Sequence, residues 1–191
     1  MLRTFIAFDI NDALRDECIS LIYKGKGLFP DQIKWVIPEN LHMTFLFLGE
    51  IKYDDKSSIE NLLGDLADNL PSIDLYKPEI KWNPPYKPMT LWIEYSNNNP
   101  DFIHIRKKFI YDLKQELPYL KLDNKEFKWH LTLGRVRQHE QKKIDISKWR
   151  FDEEELPHSL QLTHITLYQS ILQSYGPLYK NLISFPLKGG K

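Results

Sequence analysis

The sequence contains one five-residue pattern twice: LHMTF at residues 41–45 and WHLTL at residues 129–133. Each copy places a histidine and a threonine between apolar residues, an alternation typical of a β-strand with one buried face. In a strand, residues i and i+2 point to the same side, so each histidine should lie beside its threonine. The copies stand in opposite halves of the chain, which predicts two half-molecules that face one cleft.

The four polar residues of the two copies suit chemistry at a phosphate. With an ordinary pKa of about 6.5, one of His42 and His130 can accept a proton while the other donates one. The hydroxyls of Thr44 and Thr132 can donate to the phosphate oxygens, where charge must be stabilised in the transition state. In-line displacement at phosphorus needs a base and an acid on opposite sides, which two facing strands would provide.

A third copy of the tripeptide, His164-Ile165-Thr166, complicates this interpretation. A single His-x-Thr tripeptide is a weak signal, because a strand histidine is more often a hydrogen-bonded structural residue than a catalyst. Spacing alone does not say which two of the three copies form a site.

The composition indicates one compact, water-soluble domain over residues 1–191. Hydrophobic residues make up 42% of the chain, and 26 basic residues balance 26 acidic ones. A formal charge of zero argues against a long basic groove that binds extended nucleic acid through many phosphates, although a small phosphate pocket remains compatible with it. The single cysteine, Cys18, falls on the apolar stripe of a predicted helix, which favours a buried structural role.

The order of predicted elements is α+β with mostly antiparallel strands. Strands are predicted at residues 3–10, 34–36, 42–49, 73–82, 89–95, 129–136 and 160–172, and a final apolar segment at residues 179–187. Helices are predicted after a cap at Asn11 or Asp12, before Pro71 and before Pro118. No run approaches the roughly 20 apolar residues of a membrane span, so we expect no membrane association and a cytoplasmic location.

Several segments together resemble the RNA 2′,3′-cyclic phosphodiesterases, also called 2′-5′ RNA ligases, of the two-histidine phosphoesterase superfamily. They are, in order, RTFIAFDI at residues 3–10, IPENLHMTFLFLGE at 37–50, HLTLGR at 130–135, and Ser170 followed by GPLY at 176–179. The resemblance covers nearly the whole chain, and the second segment is the most specific.

The resemblance implies a bilobal fold of two antiparallel sheets with outer helices around a central cleft, related by an approximate two-fold axis. It implies hydrolysis of a terminal 2′,3′-cyclic phosphate of RNA to a 2′-phosphate, in some members also 2′-5′ ligation, with no metal or nucleotide cofactor. The family's two motifs fall on His42 with Thr44 and on His130 with Thr132. His164 and Thr166 are then a coincidental match on a structural strand.

The resemblance does not decide the roles of two residues next to the second motif, Arg135 and Trp129. Arg135 matches an arginine that can bind a phosphate oxygen, but strict alternation from His130 would place it on the opposite face unless the strand bends near Gly134. Trp129 stands where the family commonly has proline; its indole can stack on a base, but core packing is the favoured interpretation. We expect solvated or structural roles for His104, His139 and His158.

Two other functions remain compatible with the same motifs. One is a phosphodiesterase acting on 2′-5′ oligonucleotides or small cyclic nucleotides, and the other is a binding module that recognises RNA ends without cleaving them. No cluster of His, Asp, Glu and Cys has metal-ligand spacing, so we expect no metal. The expected partners are RNA termini or small cyclic-phosphate nucleotides. We expect the protein to be a monomer.

Overall fold

The computed structural model describes residues 1–122, 125–141, 143–149, 156, 159–174 and 176–189. Within these ranges the strands are β1 (Leu2–Phe8), β2 (Ile33–Trp35), β3 (Met43–Ile51), β4 (Ile73–Asn83), β5 (Thr90–Ser96), β6 (His130–Val136), β7 (Ser159–Leu162), β8 (His164–Gln173) and β9 (Gly176–Pro186). The helices are α1 (Asp12–Leu28), α2 (Lys56–Asn69) and α3 (Phe102–Glu116), with short 3-10 turns at Pro38–Asn40 and Ile146–Lys148. The prediction of an α+β fold with antiparallel strands is confirmed.

The strands form one curled sheet in the order β7-β4-β5-β6-β3-β1-β8-β9, and β2 pairs with β6 beside this path. The two predicted sheets are recognisable as two groups of four strands, but they are joined. The junction between β3 and β6 is a single residue pair, Met43 with Leu131. Further along the same edge of β6, from Gly134 to Val136, the partner is β2.

One segment that reads as a single strand in the sequence is two strands in the structure. The predicted strand at residues 160–172 divides at Thr163 into β7 and β8. β7 pairs with β4 at one end of the sheet, whereas β8 lies between β1 and β9 in the other group of strands. The chain therefore crosses between the groups here, and hydrophobic alternation does not mark the crossing.

The first helix follows the predicted pattern closely. The side chain of Asn11 caps it by accepting a hydrogen bond from the Leu14 amide at 2.9 Å, which satisfies one of the amides left unpaired in the first turn. Its apolar stripe, which includes Leu14 and Cys18, is buried, and Cys18 is a free thiol. Burial raises the pKa of that thiol to about 12, which makes it a poor nucleophile. None of the helices in the described ranges is long and apolar enough to span a bilayer.

Helix α1 approaches β2 closely at a glycine. A Cβ atom on Gly25 would lie 2.1 Å from Cη2 of Trp35 and 2.5 Å from Cζ3 of Trp149. Two residues further along the same helix, a Cβ atom on Gly27 would meet nothing within 4 Å. Since glycine is a poor helix former, only the contact with the two indole rings explains its use at position 25.

We expect Gly25→Ala to destabilise the fold by about 1–3 kcal/mol, because the two indole rings must move to admit the methyl group. Gly27→Ala is the matched control, and it should stabilise by about 0.5–1 kcal/mol through helix propensity alone. Urea unfolding of both variants measures the difference. Equal effects of the two substitutions would show that the tryptophans do not fix the position of α1.

Candidate active site

A cleft of about 560 Å³ opens where β3 and β6 diverge. All five side chains singled out from the sequence line it: His42, Thr44, His130, Thr132 and Arg135. The structure thus brings the two halves of the predicted site together on one surface.

The Met43–Leu131 pair sets the arrangement of the four motif side chains. Met43 and Leu131 are the middle residues of the two tripeptides, and they stand opposite each other in an antiparallel pair. Antiparallel register then places His42 beside Thr132 and Thr44 beside His130 on the cleft face. The histidines occupy diagonal corners, which in such a pair are roughly 7–8 Å apart.

Both imidazole rings are oriented by the same type of hydrogen bond. Nδ1 of His42 lies 2.7 Å from the carbonyl oxygen of Asn40, and Nδ1 of His130 lies 2.9 Å from that of Lys128. A carbonyl only accepts, so each Nδ1 carries the proton and donates it. Nε2 is then the nitrogen of each ring that can exchange a proton with a ligand. In the neutral His42 ring, Nε2 accepts a hydrogen bond from the Thr44 hydroxyl at 3.0 Å.

Aromatic side chains shield both rings from water. The His42 ring lies 4.9 Å from the ring of Phe5 and 5.3 Å from that of Tyr179, measured between centroids. The His130 ring lies 4.3 Å from the indole of Trp92. Because burial penalises the charged imidazolium, it lowers the pKa of His42 to about 4 and also lowers the pKa of His130.

A β-bulge brings Arg135 into the cleft, against strict alternation. Leu91 pairs with Gly134 and the next residue, Trp92, pairs with Thr132, so Leu133 is an extra residue in β6. The extra residue shifts the alternation by one position and turns the Arg135 side chain to the face of Thr132. Of the two alternatives that the sequence left open for Arg135, the structure has the irregular strand near Gly134, with Arg135 on the cleft face.

The first motif has the same bulge at the equivalent position. Ile6 pairs with Leu46 and Ala7 with Thr44, so Phe45 is the extra residue in β3. Phe47 consequently faces the cleft and is 58% exposed. Each motif thus continues into a third cleft residue, which is aromatic on one strand and cationic on the other.

Trp129 is a core residue, as favoured above. It is 8% exposed, and its ring packs between those of Phe102 at 4.3 Å, Phe127 at 4.8 Å and Phe8 at 5.5 Å. It does not line the cleft.

The third His-x-Thr copy lies outside the cleft. Thr166 is fully buried, and its hydroxyl donates to the Asp9 carboxylate at 2.7 Å. The Tyr168 hydroxyl donates to the other oxygen of the same carboxylate at 2.6 Å. His164 lies beside Thr163, with its Nδ1 3.0 Å from that hydroxyl oxygen. The position of this copy agrees with a structural strand.

The two other histidines that the structure describes, His104 and His139, do not line the cleft. His104 is exposed on α3, and His139 is exposed in the turn after β6, 3.7 Å from a Glu140 carboxylate oxygen. His158 lies outside the described residues. Among the described residues, no group of three or more His, Cys, Asp or Glu side chains could hold a metal ion.

Sequence reasoning assigned no site role to three other cleft residues. Arg3 adds a second positive charge to that of Arg135, and the cleft-lining residues in the described ranges include no carboxylate. Asn40 ties the turn before β3 to β9, because its side-chain amide donates to the Pro177 carbonyl at 2.7 Å. Tyr179 covers His42. All three lie in segments that carry the family resemblance, so those segments were the signal from which the residues could have been identified.

A curled antiparallel sheet that presents two His-x-Thr strands to one cleft defines a two-histidine phosphoesterase. The model of the family described as LigT-like phosphoesterases matches residues 10–88 and 107–179. The chain belongs to this family, which is a family of phosphoester-cleaving enzymes.

Similar proteins share both the length and the fold of this chain. The RNA 2′,3′-cyclic phosphodiesterase of Methanocaldococcus jannaschii is 33% identical, covering 94% of this chain and 97% of the relative. That of Archaeoglobus fulgidus is 29% identical, covering 96% and 99%. Among solved structures, a Thermus thermophilus protein has a TM-score of 0.76 and E. coli LigT in its apo form one of 0.73, each at 21% identity and covering 98% of both chains.

In an NMR titration of the free protein we expect the His42 imidazole to protonate near pH 4, because burial disfavours its charged form. Inorganic phosphate should raise this pKa, since a bound anion stabilises the imidazolium. In the unfolded chain the same ring protonates near pH 6.5. Between the two values the unfolded state binds more protons, so stability should fall as the pH falls through this window.

The His42→Gln variant is the control, because glutamine cannot take up the proton and the pH dependence of unfolding should become shallower. A His42 pKa near 6.5 in the free protein would contradict the shielding by Phe5 and Tyr179.

Proposed function

We propose that this chain hydrolyses the terminal 2′,3′-cyclic phosphate of RNA to a 2′-phosphate, with His42 and His130 as the general base and general acid. The observation that carries the proposal is the diagonal placement of the two imidazoles across one cationic cleft, each next to a threonine hydroxyl. The substrate follows from the relatives, which are named RNA 2′,3′-cyclic phosphodiesterases and match over nearly their full length.

In the proposed reaction, a water molecule attacks phosphorus in line with the bond to the 3′ oxygen. One histidine accepts a proton from the water through Nε2 while the new P–O bond forms. The other donates its Nε2 proton to the 3′ oxygen as the P–O3′ bond breaks. The products are a 3′-hydroxyl and a 2′-phosphate. The histidine that acted as the base then loses its extra proton to solvent, and the histidine that acted as the acid takes one up.

We assign the base to His42 and the acid to His130. Burial lowers the pKa of His130, and the charges of Arg135 and Lys128 act in the same direction. Glu94, directly opposite His130 across the β5–β6 pair, opposes them and favours the imidazolium form. His42 is the more deeply shielded ring, and its pKa of about 4 keeps it neutral at physiological pH. The Asp9 carboxylate favours the charged form of His42, but burial outweighs it.

The remaining cleft residues hold the phosphate. The hydroxyl of Thr132 can donate to a non-bridging oxygen, and the Arg135 guanidinium adds a charge-assisted hydrogen bond. The hydroxyl of Thr44 can donate to another such oxygen when it turns away from Nε2 of His42, which frees that nitrogen to accept the proton of the water. Negative charge grows on these oxygens in the transition state, so preorganised donors stabilise it more than the ground state. No step requires a metal, because the side chains provide both the proton transfers and the charge.

The same geometry supports 2′-5′ ligation. A 5′-hydroxyl of RNA that takes the place of water would attack the same phosphorus and give a 2′-5′ linkage. We further propose that the chain acts as a monomer, since residues of one chain complete the cleft, and, as expected from the sequence, as a single domain in the cytoplasm.

Replacing either histidine should abolish turnover of an oligonucleotide that ends in a 2′,3′-cyclic phosphate, measured with chelator present. We expect His42→Ala and His130→Ala each to lower kcat by about 10²–10⁴-fold, the usual contribution of general acid–base catalysis. The matched control is His164→Ala, which removes the histidine of the third copy and should keep kcat. Near-normal rates in either cleft variant, with folding verified by circular dichroism, would disprove the paired mechanism.

A substrate with sulfur in place of the 3′ bridging oxygen distinguishes the two roles. A thiolate leaves without a proton, so the acid is no longer needed. On this analogue the defect of His130→Ala should shrink by about tenfold or more, while the defect of His42→Ala persists, because general acid catalysis contributes factors of this size. The reverse pattern would exchange the two assignments.

A further inference from the structure

A second groove of about 410 Å³ continues from the catalytic cleft. It is bordered by β3, β5, α3 and the segment before β6, and it shares Thr44, Phe47 and His130 with the cleft. A chain bound with its end between the histidines can therefore leave the cleft along this groove.

The groove offers aromatic surfaces to a nucleotide base. Phe47 is 58% exposed at the junction with the cleft. Trp92 and Phe127 are half-buried further along the groove, and the indole of Trp92 packs directly on the His130 ring. Bases stack on such side chains without regard to sequence.

Cationic side chains lie among these aromatic surfaces. Among the described residues, the groove is lined by Arg106, Lys125 and Lys128 and by one carboxylate, that of Glu126. Arg106 is held in place: its Nε donates to the Phe45 carbonyl at 3.4 Å, and its guanidinium lies 5.0 Å from the centre of the Phe127 ring. Aromatic rings interleaved with cations are the combination that binds single-stranded nucleic acid.

The whole chain is neutral, so this charge is local. The catalytic cleft carries Arg3 and Arg135, and the adjoining groove carries three further cations. One phosphodiester that leaves the cleft would thus meet positive charge at once. The short groove fits about one nucleotide, which agrees with a protein that lacks the excess charge needed to follow a long strand.

We propose that this groove binds the nucleotide on the 5′ side of the cyclic-phosphate terminus, so that the enzyme selects RNA chain ends over free cyclic mononucleotides. The proposal rests on the proposed function, because it uses the histidine pair to fix the position of the RNA end. It assigns the phosphodiester between the last two nucleotides to the groove cations and the penultimate base to the aromatic surfaces.

The test compares adenosine 2′,3′-cyclic phosphate with the dinucleotide ApA that ends in a 2′,3′-cyclic phosphate. In the native protein, kcat/KM should be about tenfold higher for the dinucleotide, as expected for one stacked base. A trinucleotide should give little more. Equal values for the mononucleotide and the dinucleotide would overturn the proposal, whereas no product from either would instead defeat the proposed function.

Substitutions then locate the effect. Lys125→Glu and Arg106→Gln should each lower the ratio of the dinucleotide to the mononucleotide kcat/KM by about threefold or more, because each removes a cation next to the phosphodiester. Arg106→Lys keeps the charge and should retain part of the ratio. Lys107→Glu is the matched control: Lys107 is exposed on α3 and lines neither cavity, so the ratio should not change. An unchanged ratio in both Lys125→Glu and Arg106→Gln would contradict the assignment of the groove.

Discussion

The candidate site depends on one backbone pairing, that of Met43 with Leu131. This pair is the junction between the two groups of strands, and it lies at the centre of both His-x-Thr tripeptides. An antiparallel pair has a local two-fold axis, so two copies of the same tripeptide across it present their histidines at opposite corners. The short junction also matters, because the cleft opens where β3 and β6 separate.

β2 and α1 pack beside the junction, at the part of the β6 edge that β3 does not reach. β2 takes the edge of β6 from Gly134 to Val136, and a Cβ atom on Gly134 would lie 2.5 Å from Cγ2 of Ile33. Helix α1 closes over β2 through the contact of Gly25 with Trp35. A helix, a short strand and two glycines thus fill the edge of β6 beyond the junction, where the residues before β3 would otherwise pair.

Burial and charge have opposing effects within the cleft. Aromatic neighbours lower the pKa values of both histidines and so favour neutral rings in the free protein. In the proposed mechanism, a phosphate held by the threonine hydroxyls and by Arg3 and Arg135 would supply the negative charge that stabilises an imidazolium. The protonated histidine that acid catalysis requires would then be more populated with substrate bound than in the free protein.

The sequence by itself determined the local structure and the candidate residues. Alternation predicted the strands around His42 and His130, and helical spacing predicted the buried stripe through Cys18. Residue type predicted a cap at Asn11 or Asp12, of which the structure has Asn11. Each of these depends on neighbours a few positions away. The tertiary structure decided the rest. It placed the third tripeptide, His164-Ile165-Thr166, on an internal strand, and it turned Arg135 towards the cleft. A bulge arises from the register between strands, and that register depends on residues far apart in the chain, which the spacing within one strand does not encode.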